Sequence, residues 1–191
     1  MSKDRSQPPR RSPRPRGPRH LPFRPAIERA RRFHARQGVI CEELEMMSDG
    51  LPAFDIARNG AFVRDLAPHL RVHHCLEEGW LFPLLTGRLP GHGETTVNLL
   101  RLKQEHMEDC DAASDLGDHI RHVLEDAGDV QAERLAYQTR ALFRSLRRHV
   151  AFEVEVIFPL AERLLTADDL LCLSHAYDRS EVADAAYLLR H

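Results

Sequence analysis

The sequence predicts an all-α fold: an up-down-up-down antiparallel four-helix bundle with a short fifth C-terminal helix, preceded by a disordered N-terminal tail. Three observations predict it. From Ala26 onward, apolar residues recur at steps of three and four, the spacing of one helical face. No Asn-Gly or Asp-Gly between alternating runs signals a β-hairpin. Residues 1–25 are rich in Pro, Arg and Ser and nearly free of apolar side chains, so they bury too little surface to offset the entropy of ordering.

The elements follow in order. After the tail (1–25), the first helix covers about 26–48 and closes at Ser48-Asp49-Gly50. The second covers about 53–85 and stops before Thr86-Gly87 and Pro90-Gly91. The third opens near Glu94 and runs to about 117, or on to Glu125. The fourth opens after Asp129, a good N-cap type, and runs to about 165. The fifth begins after Thr166, with Asp168 and Asp169 in its first turn, where the helix dipole favours acids. Residues 26–185 thus form one bundle domain.

The fourth helix shows the seam most clearly. Leu135, Thr139, Leu142, Leu146, His149, Glu153, Val156, Leu160 and Leu164 follow steps of three and four. The second helix repeats the pattern through Phe62, Leu66, His69, His73, Leu76 or Glu77, and Trp80. Both stripes should face the bundle interior.

Composition limits the function. At 191 residues the chain fits one domain plus a tail, and 42% hydrophobic residues suffice for a core. No apolar run reaches membrane-spanning length, and the start has no apolar segment of a signal peptide. Cys41, Cys75, Cys110 and Cys172 are widely spaced and form no CxxC pair, so a reducing cytoplasm is expected. The net charge of −2 hides an asymmetry: residues 1–25 hold Lys3 and seven arginines against Asp4 alone. Such an arm serves as a solubilising tail, or as a contact for nucleic acid, anionic lipid or a Pro-recognising protein. It lacks the interleaved aromatics that stack on bases.

One polar pattern is written twice. HHCLEEGWLFPLL begins at His73 and HVAFEVEVIFPLA at His149. Laid over each other, they share His73 with His149, Glu77 with Glu153, Phe82 with Phe158, Pro83 with Pro159 and Leu84 with Leu160. In each, a histidine and a glutamate four residues on lie on one helical face, inside an apolar run. A buried ionised glutamate without a partner costs several kcal/mol or more, and two facing each other also repel. No Arg or Lys stands at matching depth, which leaves protonated carboxyls or bound cations as the compensation. His34 lies on the inward stripe of the first helix with Ile27, Ala30 and Cys41, and His106 on that of the third with Leu99, Leu102 and Cys110. Four imidazoles and two carboxylates suffice for a two-metal site with positions left open. Imidazole plus carboxylate suits iron, manganese and zinc alike.

The inward His34, the HxxxE of His73 and Glu77 with its LFP tail, the EH of Glu105-His106, and the second HxxxE of His149 and Glu153 with FP together resemble the hemerythrin-like (HHE cation-binding) domain family. The resemblance covers about 26–185, including LTADDLLCLSHAYDR, which looks like a short trailing helix of bacterial members. A single HxxxE is common by chance; two in matched contexts are specific. The resemblance implies two non-haem iron ions, with His34 and His73 capping one, His106 and His149 the other, and Glu77 and Glu153 bridging. It further implies an oxo or hydroxo bridge and an open position for dioxygen, nitric oxide or peroxide. Ferritin-like di-iron bundles use Glu-x-x-His instead.

The chain departs from the oxygen carriers of that family. They place a second histidine four residues after the one on the third helix, where this chain has Cys110. Their last carboxylate is an aspartate five residues after its histidine, where this chain has Glu153 at four. The site therefore reads as one imidazole poorer, which favours redox chemistry or sensing over reversible oxygen carriage. The leading function is binding or sensing of dioxygen, nitric oxide or peroxide, or iron handling. A di-iron enzyme that decomposes peroxide or acts as an oxidase is one alternative; a metal-dependent regulatory module acting through the basic tail is another.

Other residues are weighed against the doubled pattern. His74 and Glu78 share its spacing but face Val150 and Val154 in the second copy, so they read as flanking. His69, one turn before His73, is a supporting group or an extra ligand. Cys110 is a small core residue or a thiolate ligand. Cys75 should pack outward. Trp80 packs in the core or walls the site. Pro83 and Pro159 should bend or end their helices.

Overall fold

Apolar faces at helical spacing can be buried only against one another, and this chain does so with helices alone among its described residues. The computed structural model describes residues 25–188 apart from residues 54, 60, 65, 90, 92 and 127–130. The arginine-rich arm and the expected Asp129 cap lie outside the described residues. α1 runs Pro25–Gly50. Two single turns follow, α2 at Ile56–Asn59 and α3 at Ala61–Arg64. α4 (Leu66–Leu76) continues through a π-helical turn, Glu77–Leu81, into α5 (Phe82–Arg88). α6 spans Glu94–Asp126. α7 (Ala132–Phe152) continues through a second π-helical turn, Glu153–Ile157, into α8 (Phe158–Leu164). α9 closes the chain at Ala167–Leu188.

Side-chain contacts fix the directions. His34 meets Glu153 and Cys41 meets the Phe143 carbonyl, so α1 and α7 run antiparallel. Glu78 meets His106 and His74 meets Cys110, so α4 and α6 do too. His119 meets Gln138 and Asp109 meets His149, which reverses α7 on α6. α9 packs across α1 and α4. It is pinned by Arg29 to Ser174 and Asp178, and by Arg88 to Asp169 at 2.8 Å. No helix among the described residues is long and apolar enough to cross a membrane.

The rods differ from their expected form in three ways. The helix expected over about 53–85 is split, and its long part restarts at Leu66. Pro68 explains the restart: in a first turn its missing N–H is not needed, whereas mid-helix it would break the rod. Pro83 and Pro159 do not end their rods. Each follows a widened turn in which the preceding residue bonds five back, Phe82 to the Glu77 carbonyl and Phe158 to the Glu153 carbonyl. The fifth helix, expected to be short, is 22 residues long. Thr166 and Asp169 cap it reciprocally, the Thr166 N–H donating to Asp169 Oδ2 and the Asp169 N–H to Thr166 Oγ1.

The π turns also move the seam. Each inserts one extra residue, so the buried face slips by one position beyond it. After Glu153 the buried residues of this rod are Ile157, Phe158, Ala161 and Leu165, while Val156 is 42% exposed. After Glu77, Leu81 is buried and Trp80 is 40% exposed. The expected inward positions of Val156, Leu160, Leu164 and Trp80 are thus corrected. Trp80 neither packs in the core nor walls the site; it lies under the Arg179 guanidinium.

Candidate metal centre

The interior is two apolar clusters with a polar layer between them. One cluster holds Ala26, Ala30 and Phe33 of α1, Leu99 and Leu102 of α6, and Leu81, Phe82, Ile157 and Phe158 from the π turns and beyond. The other holds Ile40 and Leu44 of α1, Leu66 and Leu70 of α4, Ala113 and Leu116 of α6, and Leu142 and Leu146 of α7. Every long rod passes from one to the other. Between them it presents polar side chains: His34 and Gln37; His73, His74 and Glu77; His106 and Asp109; His149 and Glu153. All are at most 3% exposed.

These side chains form two adjoining groups. His34, His73, Glu77 and Glu153 offer donor atoms that all lie within 4.8 Å of one another, and so do His74, His106 and His149. The two carboxylates lie between the groups. Glu153 turns Oε2 to His34 Nε2 at 2.6 Å and Oε1 to His106 Nε2 at 3.5 Å. Glu77 turns Oε1 to His34 at 3.6 Å and Oε2 to His73 at 3.3 Å and His106 at 3.6 Å. Both glutamates open a π turn, so the widened backbone starts where the two carboxylates enter the layer. π turns recur at functional positions for this reason: they re-aim side chains at small backbone cost.

Outer contacts orient the rings. His34 Nδ1 donates to the Ala30 carbonyl at 2.8 Å, His106 Nδ1 to Glu78 Oε1 at 2.9 Å, and His149 Nδ1 to Asp109 Oδ2 at 2.6 Å. Each leaves Nε2 aimed into the layer, the arrangement by which carboxylates and carbonyls hold metal-binding imidazoles. Nε2 of His73, His74, His106 and His149, both oxygens of Glu77 and Oε1 of Glu153 have no hydrogen-bond partner among the described residues. Buried polar atoms are almost always satisfied. These seven atoms lie together in the polar layer and are all cation ligands by chemistry, so these residues fit bound metal cations.

Electrostatics agree. Burial opposes a charge on His34, but its bond to Glu153 and the charges of Glu77 and Glu153 outweigh that and raise its pKa. The same balance lifts His106 to about 9. Burial also opposes the Glu153 carboxylate, yet His106 and His34 hold its pKa far below the usual range. For His73 and His74 burial dominates and lowers the pKa. Metal binding at these imidazoles would compete with their protons.

The structure brings together all six residues singled out from sequence: His34, His73, Glu77, His106, His149 and Glu153. It adds three more. His74 is 3% exposed and stacks on His106 at 3.9 Å between ring centroids. Its Nδ1 is 3.4 Å from Cys110 Sγ. Glu78 and Asp109 orient rings. The second copy of the pattern hides His74 and Glu78, because it suggests that both halves use the same positions. The signal for Asp109 is its place one turn after His106. His69 is buried but joins neither group. Burial raises the Cys110 thiol to about 11, which suits a neutral side chain. Cys75 is exposed. A cleft of about 520 Å³, lined by Arg71, Cys75, Lys103 and Met107 among others, reaches His74 and His106 from the surface.

The family model for the hemerythrin HHE cation binding domain matches residues 26–161. No curated protein and no solved structure matches the chain.

Proposed function

This chain belongs to the hemerythrin HHE cation-binding domain family, and from that premise we propose that it is a non-haem di-iron protein that binds or senses dioxygen, nitric oxide or peroxide, or handles iron. One observation carries the reading: two groups of buried imidazoles share two carboxylates whose oxygens face both. His34 and His73 would hold one ion, His74, His106 and His149 the other, with Glu77 and Glu153 between them. The donor set also suits manganese and zinc; the family supplies iron. When bound, the metal pair supplies a redox couple and a Lewis-acidic position for a small ligand.

The chain's own residues set the asymmetry. His74, His106 and His149 would offer three imidazoles to one position. His34 and His73 would offer two to the other, one donor fewer. The apolar clusters cover the layer above and below, and a surface cleft reaches it at His74 and His106. Four free cysteines, two of them exposed, support a reducing cytoplasmic setting. Protein prepared without added metal should contain about two iron ions per chain and, oxidised, show near-ultraviolet oxo-to-iron bands. A metal-free preparation that takes up no Fe(II) overturns the reading.

A further inference from the structure

We propose that the Gln37 side-chain amide is the hydrogen-bond donor that selects small anionic ligands at the metal position faced by His34 and His73. This rests on the di-iron reading and adds to it a residue that discriminates among ligands.

Gln37 is fully buried, at 0% exposure. Neither its Oε1 nor its Nε2 has a hydrogen-bond partner among the described residues. The other unpartnered atoms of the polar layer that face the two groups belong to imidazoles and carboxylates, and bound cations account for them. A primary amide is neutral and a poor ligand for these metals, so cations leave Gln37 unexplained.

Its place in the fold points to the ligand. Gln37 follows His34 by one turn on the buried face of α1. On α7, His34 pairs with Glu153 and Cys41 with Phe143. Gln37 falls between these pairs, at the level of His149, and so within the polar layer. On the opposite side of the layer the rings are covered by apolar neighbours: Phe33 stacks on His73 at 5.6 Å and Phe158 meets His34 edge-on at 4.8 Å. Gln37 is the next buried polar side chain after His34 on α1, one turn away, and so is the polar group of that helix placed to serve the His34 and His73 position. An amide donates N–H to a lone pair and accepts from an O–H. It favours small anions such as azide, and hydroperoxide, over neutral diatomics with little charge to share.

The test uses the iron-loaded, oxidised full chain and azide as the probe, with iron content measured alongside. Gln37→Met keeps the volume and removes the amide. Gln37→Asn keeps an amide but withdraws it by one methylene, and carries the same test should the Met variant fold poorly. The expected result is unchanged iron content with an azide dissociation constant raised about tenfold or more in both variants. Metal-free Gln37→Met should melt no lower than the metal-free wild type, since the amide it loses has no partner there. Azide affinity that is unchanged, or that falls only in step with iron content, overturns the inference and leaves the di-iron reading standing. A wild type that takes up no iron overturns both.

Discussion

His34 Nε2 lies 2.6 Å from Glu153 Oε2, across 119 residues of sequence, with both groups sealed from water. The contact ties the first rod of the bundle to the last through the middle of the polar layer. In the metal-free chain burial is outweighed by Glu153 and Glu77, which raise the His34 pKa, while Glu77 has no hydrogen-bond partner among the described residues. Metal should therefore stabilise the fold. At a free metal concentration about a thousand times the dissociation constant, binding adds about 4 kcal/mol. For a chain of this size that is a melting temperature higher by on the order of ten degrees. Calorimetry with iron and with chelator checks it; equal melting temperatures count against the buried centre.

Asp109 should matter to the metal without touching it. Its carboxylate accepts from His149 Nδ1 at 2.6 Å and orients the ring. Asp109→Asn should lower affinity for one of the two ions by about 10–100-fold while the fold persists. Metal titration against a competing chelator, with circular dichroism as the folding control, reads both quantities.

His74 and His69 should behave differently, although both are buried histidines of α4. His74 shares donor reach with His106 and His149, and His69 belongs to neither group. His74→Ala should reduce the metal content below two per chain; His69→Ala should leave it unchanged. Elemental analysis of the two variants decides, and an equal loss in both would contradict the assignment of His74.

The π turn after Glu153 can be tested by its phase. Ile157 is fully buried and Val156 is 42% exposed. Ile157→Ala should cost about 2–5 kcal/mol. Val156→Ala should stay within about 0.5 kcal/mol. A seam running at uninterrupted helical spacing would reverse the order in urea melts.

Asp169 gives a pH dependence far from the metals. The Arg88 ion pair, aided by Thr166, holds its carboxyl down at about 2, below the ordinary 3.8. The folded state thus favours the ionised form. That contribution is complete above about pH 4 and is lost as pH falls through about 2. Asp169→Asn should cost about 1 kcal/mol near neutrality. The gap to wild type should close between pH 4 and 2 in unfolding curves.

The doubled HxxxE and its two lone histidine partners were legible because buried acids need compensation and helical spacing places them on one face. The slip of the seam was not. Counting steps of three and four assumes an unbroken helix, and only Pro83 and Pro159 mark the widened turns that shift Trp80 and Val156 outward. His74 was hidden for a different reason. Superposing the two copies imposes a symmetry that two unlike metal positions do not need. Adjacent residues on a helix point about 100° apart, so His73 and His74 reach into different groups. Pro68 was the overlooked mark of the break in the second rod.

The most direct test is elemental analysis of the full chain purified without added metal, with its near-ultraviolet and visible spectrum. The account predicts about two iron ions per chain and oxo-to-iron absorption that vanishes on chelation. A colourless protein that holds no metal, refuses Fe(II) and melts the same with or without chelator would contradict it.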